Sequence, residues 1–360
     1  MRTLGRKGIV CAALACCAAL ALCSAAEAVF PDRPVEGYGT ATIGGEGGEC
    51  YVVTSLADDG PGTLRDAVEG TASNRLVTFA VGGTIELDAT LRISGHHVTI
   101  DASEAPDPGI TITAGHSGVT GALLDIKEAH DIIVRNIRVT DAPDPNAGDN
   151  LRIWDGAYNI VIDHCSFRRA GDGNVDICIN AHDVTIQWSI LANCIKNSLI
   201  RTGLTNISLH HNLFVNGSER NPQFDDAQNV DMVNNVIYGW ASNYGTRTRN
   251  GTTGNIVANK YIVGPGSDGS DAVVIAGDSG PIYMEGNDLP PSCPTSGTSG
   301  TRFPAAPVTE MDPGDALRAI LNEAGAHPRD ADDSDYVADV AQTPVEPSTW
   351  GGIKARYLPG

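Results

Sequence analysis

Long apolar runs, positive charge and paired cysteines are all scarce in this 360-residue chain. Beyond Leu22 no stretch is apolar enough to span a membrane, so no membrane partner is expected for the body of the protein. Lys and Arg total 24 against 44 Asp and Glu, a net charge of −20. A chain this acidic has no general attraction for nucleic acid or an anionic bilayer, and an anionic substrate would need a local basic cluster or a bridging metal. Four of the nine cysteines fall before Ser24; the other five (Cys50, Cys165, Cys178, Cys194, Cys293) are an odd set without zinc-ligand spacing. Cys165, Cys178 and Cys194 read most simply as small buried hydrophobes, with one disulfide among the five left open. The glycine-rich stretch Tyr38–Gly48 lacks the Lys-Ser/Thr pair of a phosphate loop and leads into a strand.

The one apolar run that does exist is N-terminal. Arg2, Arg6 and Lys7 precede Ile9–Leu22, and Ser24, Ala26 and Ala28 offer small residues for cleavage. This is the pattern of a secretory signal peptide over residues 1–28, which makes the mature protein extracellular or periplasmic. Its removal leaves 332 residues and a net charge of −22.

What the chain has in abundance is repetition. A nine-residue phrase recurs as NIVIDHCSF from Asn159, DVTIQWSIL from Asp183, NISLHHNLF from Asn206 and NVDMVNNVI from Asn229, at spacings of 24, 23 and 23 residues. Flanking copies begin at Asp131 and Asn255. Its second residue is β-branched (Ile132, Ile160, Val184, Ile207, Val230, Ile256), and its fourth and ninth are apolar in every copy. Apolar–polar alternation is the period of a strand. The unit is shorter than the roughly 30 residues of a strand–helix–strand crossover, so short strands must stack coil on coil in an all-β parallel β-helix. About eight coils at the strand spacing give roughly 40 Å.

The remaining segments frame that solenoid. Thr63 is placed to cap a short helix, Leu64–Glu69, covering the first coil. The repeat fades after Val263, giving a β-helix over 29–268 and a C-terminal extension over 269–360, packed along the coils or partly disordered. That extension is an irregular strap with one helix, Asp312–Ala326, with Asp312 as cap and Pro313 in the first turn. His164, Trp188, His211 and Asn234 share one column and are expected to stack; Asn234 and Asn235 suit an amide ladder. Asp163 and His164 resemble half a catalytic pair but lie inside a repeat copy.

Chemistry is expected in the turns, where stacking aligns equivalent positions. Asp149, Asp172, Asp176, Lys196 and Arg220 are displaced by about one coil each, so they could converge on one face. Three carboxylates with waters and substrate oxygens suit Ca²⁺, and Lys196 and Arg220 would supply local positive charge. Taken singly, each Asp also has a structural reading, because aspartate tolerates tight turns.

Between Gly37 and Asp268 the sequence resembles the pectate lyase family with a right-handed parallel β-helix. The resemblance rests on VTSLADDGPGTLRDAV from Val53, VIDHCSF from Val161, DGNVDI from Asp172, DVTIQWSI, Arg-Asn-Pro at Arg220 and VNNVIYGW ending at Trp240. It implies Ca²⁺ ligands at Asp149, Asp172 and Asp176, a uronate-binding lysine at Lys196 and an arginine base at Arg220. The implied activity is Ca²⁺-assisted β-elimination on an acidic polysaccharide, polygalacturonate or pectin-like, by a secreted monomer. Two positions depart from the family pattern: Ala147 stands where a further acid is common, and Asp225 where a second substrate arginine is common. The second departure favours a methylated pectin or another uronate polymer. A β-helix glycoside hydrolase using paired carboxylates, and a non-catalytic carbohydrate-binding relative, remain as alternatives.

Overall fold

The computed structural model describes residues 33–70, 73–115, 119–145, 148–242, 244–267, 270–293 and 295–343. The expected signal peptide, Ala147, Asp268 and the tail from residue 344 lie outside the described residues. The chain divides into two units, of which the second, Val35–Gly360, carries the fold.

That unit is a parallel β-helix. Its strands form a 16-stranded sheet and an eight-stranded sheet, and the smaller sheet gives one strand to each of eight successive coils. The larger sheet has two arms, because Leu199–His210 and Gln223–Val233 are long strands that belong to both. One coil therefore runs Leu151–Trp154 in the first arm, Tyr158–Asp163 in the second, then Ser166–Arg168 in the smaller sheet. The nine-residue phrase covers the second-arm strand and the smaller-sheet strand of each coil.

The apolar columns form the core. Ile132, Ile160, Val184, Ile207 and Val230 stand in successive register and are fully buried. The turn columns explain the polar letters. The first residue of the phrase has φ of +53° to +60° at Asp131, Asn159, Asp183, Asn206 and Asn229. Asp and Asn are the residues that reach this left-handed region most readily, apart from glycine. The sixth residue is left-handed too, and there His164, Trp188 and His211 stack at 6.0 and 4.5 Å between ring centres.

Side-chain ladders bind the coils. Asn212, Asn235, Asn259 and Asn287 pass amide hydrogen bonds of 3.0, 2.9 and 3.1 Å from coil to coil. Each is bonded to backbone as well, so truncating one strands buried neighbours at about 1–3 kcal/mol apiece. Asn234 stands outside the ladder: its amide donates to Met311 O at 2.8 Å and accepts from Met311 N at 2.7 Å, anchoring the strap. All five described cysteines are free; Cys165 and Cys194 are buried, whereas Cys178 is half-buried.

The repeat differs from the expected one at its end. Ile256 pairs with Met232, not Val230, so the copy from Asn255 is displaced by two residues. The position opposite Val230 is Gly254, at φ +149°, whose missing side chain hides the register from an apolar pattern. Strands also continue past residue 268: Asp271–Ile275 pairs with Tyr244–Arg249, and Ile282–Glu285 with Gly254–Val257.

Thr63 caps the helix Leu64–Val68 by accepting from Asp66 N, and Leu64, Ala67 and Val68 join the core. The strap carries Pro313–Glu323, capped by Asp312, whose Ala316 and Ile320 cover Ile190, Leu213 and Val236 on the outside of the smaller sheet. A second helix, Ala331–Gln342, adds to the one expected; it buries Tyr336 and Val340 in the same apolar cluster and is held by an acid besides. Asp333 is fully buried and accepts from Arg168 Nη1 at 2.9 Å and Ser166 Oγ at 2.7 Å.

His210 is completely buried, which pushes its pKa down to about 4. Its unfolded value is about 6.5, so below that pH the unfolded chain takes the proton first. Its contribution is therefore lost as pH falls from about 6.5 to about 4, on the order of 3 kcal/mol in all. Thermal melts should show the His210→Gln variant losing less stability than the parent across that window; equal losses would refute the assignment.

Candidate active site

The site is set by a second ladder. Asn150, Asn174, Asn197 and Asn221 are linked by amide bonds of 2.8, 2.7 and 2.9 Å at the turn that leads into each first-arm strand. The residues immediately before them are Asp149, Gly173, Lys196 and Arg220, which therefore occur on four consecutive coils. Strand pairing carries Gly173 beside Lys196 and Lys196 beside Glu219. Asp176 stands on the outer face of Val175–Cys178, with Asp172 one residue before Gly173.

All five residues singled out in the sequence line one cleft of about 520 Å³. Asp149 and Asp176 are drawn closest. Asp149 Oδ1 accepts from Gly173 N at 3.0 Å, and Asp176 Oδ1 from Leu199 N at 2.9 Å. A Cβ on Gly173 would lie 2.6 Å from Asp176 Oδ1 and 2.9 Å from Asp149 Oδ1. Glycine is needed there because two carboxylates occupy the space a side chain would take. The sequence reading passed over Gly173; its place one residue before a ladder Asn was the available signal.

Electrostatics make the pair costly as it stands. Burial, then Asp176 and Asp172, push the Asp149 carboxyl up to about 8. Burial and Asp172 push Asp176 up to about 6, against the opposing pull of the Leu199 amide and Arg220. Two buried acids that each resist ionisation are a donor set that a hard divalent cation relieves. Asp172 stands apart from them. Its Oδ1 is 2.5 Å from Lys196 Nζ, and the three acids do not bring one oxygen each to within 4.8 Å of one another. Arg220 carries a buried Nε without a hydrogen bond, 3.8 Å from Glu219 Oε1.

Asp163 and His164 have no part in the cleft. Asp163 is buried and tied to His164 Nδ1 at 2.6 Å, Arg135 Nε at 2.8 Å and Gln187 Nε2 at 3.0 Å, all within the coils.

Several cleft residues escaped the sequence reading. Each first-arm strand turns two side chains outward, which brings Arg152, Trp154, Cys178 and Arg201 to the cleft. Arg152 pairs in register with Asp176, and its guanidinium lies 4.4 Å from the Trp154 ring centre. Arg201, Asp225 and Arg249 form one register column. Asp225 is 3.7 Å from Arg249 Nε and accepts from Asn250 at 2.5 Å. The acid at 225 is thus flanked by guanidiniums on both neighbouring coils.

One line of turns on a parallel β-helix thus gathers acids, a lysine and an arginine, the local positive charge that the rest of this acidic chain lacks. No protein-family model matches the sequence. A probable pectate lyase C of Aspergillus terreus is 32% identical over 335 residues, which cover 85% of this chain and 75% of that protein. Among solved structures, a Bacillus pectate lyase in complex with trigalacturonate superposes with a TM-score of 0.60 at 20% identity, over 81% of this chain and 98% of that one. Pectate lyase C from Erwinia chrysanthemi, solved with Ca²⁺, gives 0.53 at 19% identity, over 81% and 96%. The chain belongs to the pectate lyase family. No described helix is long and apolar enough to cross a membrane.

Proposed function

We propose that this protein is a secreted enzyme that cleaves polygalacturonate, or a pectin-like uronate polymer, by β-elimination. The observation that carries the reading is the convergence of Asp149 and Asp176 over Gly173, in the same cleft as Lys196 and Arg220. Residues 1–28 act as the export signal, and the catalytic β-helix runs past residue 268 to Ile282–Glu285 before the strap and its helices.

Asp149 and Asp176 would hold Ca²⁺, with Asp172 joining once Lys196 releases it. The ion, when bound, withdraws charge from the substrate carboxylate and so acidifies the adjacent C5 proton. Lys196 then pairs with a uronate carboxylate. Arg220 takes the C5 proton, the C5–H electrons become the C4–C5 double bond, and the C4–O bond breaks with its oxygen leaving. An arginine is ordinarily protonated, with a pKa above about 12, so its use as base at pH 8 costs about 5–6 kcal/mol. The Arg220 side chain is partly exposed where it lines the cleft.

The eliminated product is conjugated and absorbs in the ultraviolet, whereas a hydrolase on the same scaffold gives no such chromophore. Incubation with polygalacturonate and Ca²⁺ should raise ultraviolet absorbance; new reducing ends without absorbance would assign hydrolysis instead.

Asp225 tunes the affinity for an anionic chain. Replacing it with Asn removes a negative charge and loosens Arg249, which keeps only its longer contact to Asp278 at 4.0 Å. The Asp225→Asn variant should bind polygalacturonate about 2–5-fold more tightly at low salt, an exposed charge effect that fades as ionic strength rises. An unchanged or raised KM would place Asp225 outside the substrate path.

A further inference from the structure

Outside the lining of the cleft, a histidine cluster interrupts the Asp/Asn turn column. That column reads Asp131, Asn159, Asp183, Asn206 and Asn229, all left-handed, and side-chain bonds run along it from Asn159 to Asp131, Asn206 to Asp183 and Asn229 to Asn206. Extended one coil earlier, its next member is His97, at φ +56°. Val98 pairs with Ile132, so His97 lies beside Asp131, and His96 beside His130.

His97, His130 and Asp131 bring one ligand atom each to within 4.8 Å of one another. Asp131 is buried; its Oδ2 is 2.7 Å from His130 Nδ1 and 3.6 Å from His97 Nδ1. Ligands on a tetrahedral ion with bonds of about 2.0–2.1 Å are about 3.4 Å apart, so the two separations bracket the value needed. The Nδ1 atoms of His96 and His97 are buried and make no hydrogen bond among the described residues. The His130 ring is clamped between His96, 4.0 Å away, and Tyr158, 4.8 Å away, both in stacked geometry. Such a ring is already oriented before any ion arrives.

We propose that His97, His130 and Asp131 form a zinc site that staples two successive coils. Two imidazoles and one carboxylate select a borderline first-row ion over Ca²⁺, which takes oxygen ligands. Zinc replaces the His130–Asp131 hydrogen bond with two metal bonds and draws in His97; solvent completes the coordination. The site is independent of the elimination chemistry, since none of its residues lines the catalytic cleft.

The test uses the full chain saturated with Ca²⁺, titrated with zinc chloride by calorimetry and melted with and without zinc. One zinc ion should bind, raising Tm by a few degrees at about 100 times Kd. The decisive variant is His97→Asn. It restores the residue type that the turn column uses on the following coils and that tolerates the left-handed backbone, so folding is preserved while one ligand is lost. Zinc affinity should fall by more than about tenfold, the zinc-dependent rise in Tm should vanish, and the visible bands of the cobalt-substituted protein should disappear. Wild-type zinc binding by His97→Asn, or no zinc binding by the parent chain, would overturn the proposal.

Discussion

Arg220→Ala should reduce the rate of ultraviolet product formation on polygalacturonate by about 10²–10⁴-fold, the range spanned by a positioned general base. The fold should not follow, because Arg220 is a turn residue whose backbone is fixed from outside its own side chain. The preceding coil holds that turn through the Asn197 amide on Asn221 and Ser198 N, which donates to Arg220 O at 2.8 Å; the following coil holds it through Gly245 O, which accepts from Asn221 N at 2.8 Å. The loss should therefore appear in kcat, with Tm and Ca²⁺ binding retained. Arg220→Lys separates base from mere charge. A lysine keeps the positive charge but not the reach or the planar fork, so it restores a charge-only role and leaves a base role impaired. Paired carboxylates acting as acid and base would instead give a rate that peaks in mild acid. A rate that peaks in mild acid, or an Arg220→Ala variant as fast as the parent, would remove Arg220 from the chemistry.

The coils were legible because their constraints are local. A left-handed turn admits Asp or Asn, an inward strand position admits Ile or Val, and both recur at one spacing, as Asn159–Ile160 and Asp183–Val184 show. The five cleft residues were legible for a related reason: consecutive turns must stack, so residues one coil apart meet whatever their identity. Other features depend on what a side chain meets across the sheet. Gly173 carries no chemistry of its own, and its role emerges only when Asp149 and Asp176 are seen to fill the space above it. Arg201 and Arg249 read as scattered surface charge until the register brackets Asp225 between them. The helix Ala331–Gln342 escaped because its apolar face is short, Tyr336, Val337 and Val340 among many acids, and its other anchor is Asp333 on Arg168, a polar contact 165 residues away in sequence. The two-residue displacement at Gly254 escaped because glycine erases the very letter that the column would have carried.

Calcium removal should leave a protein that grows less stable as pH rises, and the same cleft explains why. Asp149 and Asp176 have folded-state values of about 8 and about 6, against about 3.9 for an unfolded aspartate. The folded state thus holds these protons more tightly. Below about pH 4 both states are protonated and the site costs nothing; as pH rises toward 8 the unfolded chain ionises first and gains on the folded one. The calcium-free Tm should decline across that window, and saturating Ca²⁺ should flatten the curve, because the ionised pair is then what the ion binds. Asp149→Asn gives opposite signs in the two conditions. It should raise the calcium-free Tm at pH 8, since the amide keeps an acceptor for Gly173 N without the buried charge. It should also abolish stabilisation by Ca²⁺ and most of the activity. A calcium-free Tm that climbs between pH 4 and 8, or an Asp149→Asn variant that still gains stability from Ca²⁺ as the parent does, would mean that the two buried acids are structural and the ion sits elsewhere.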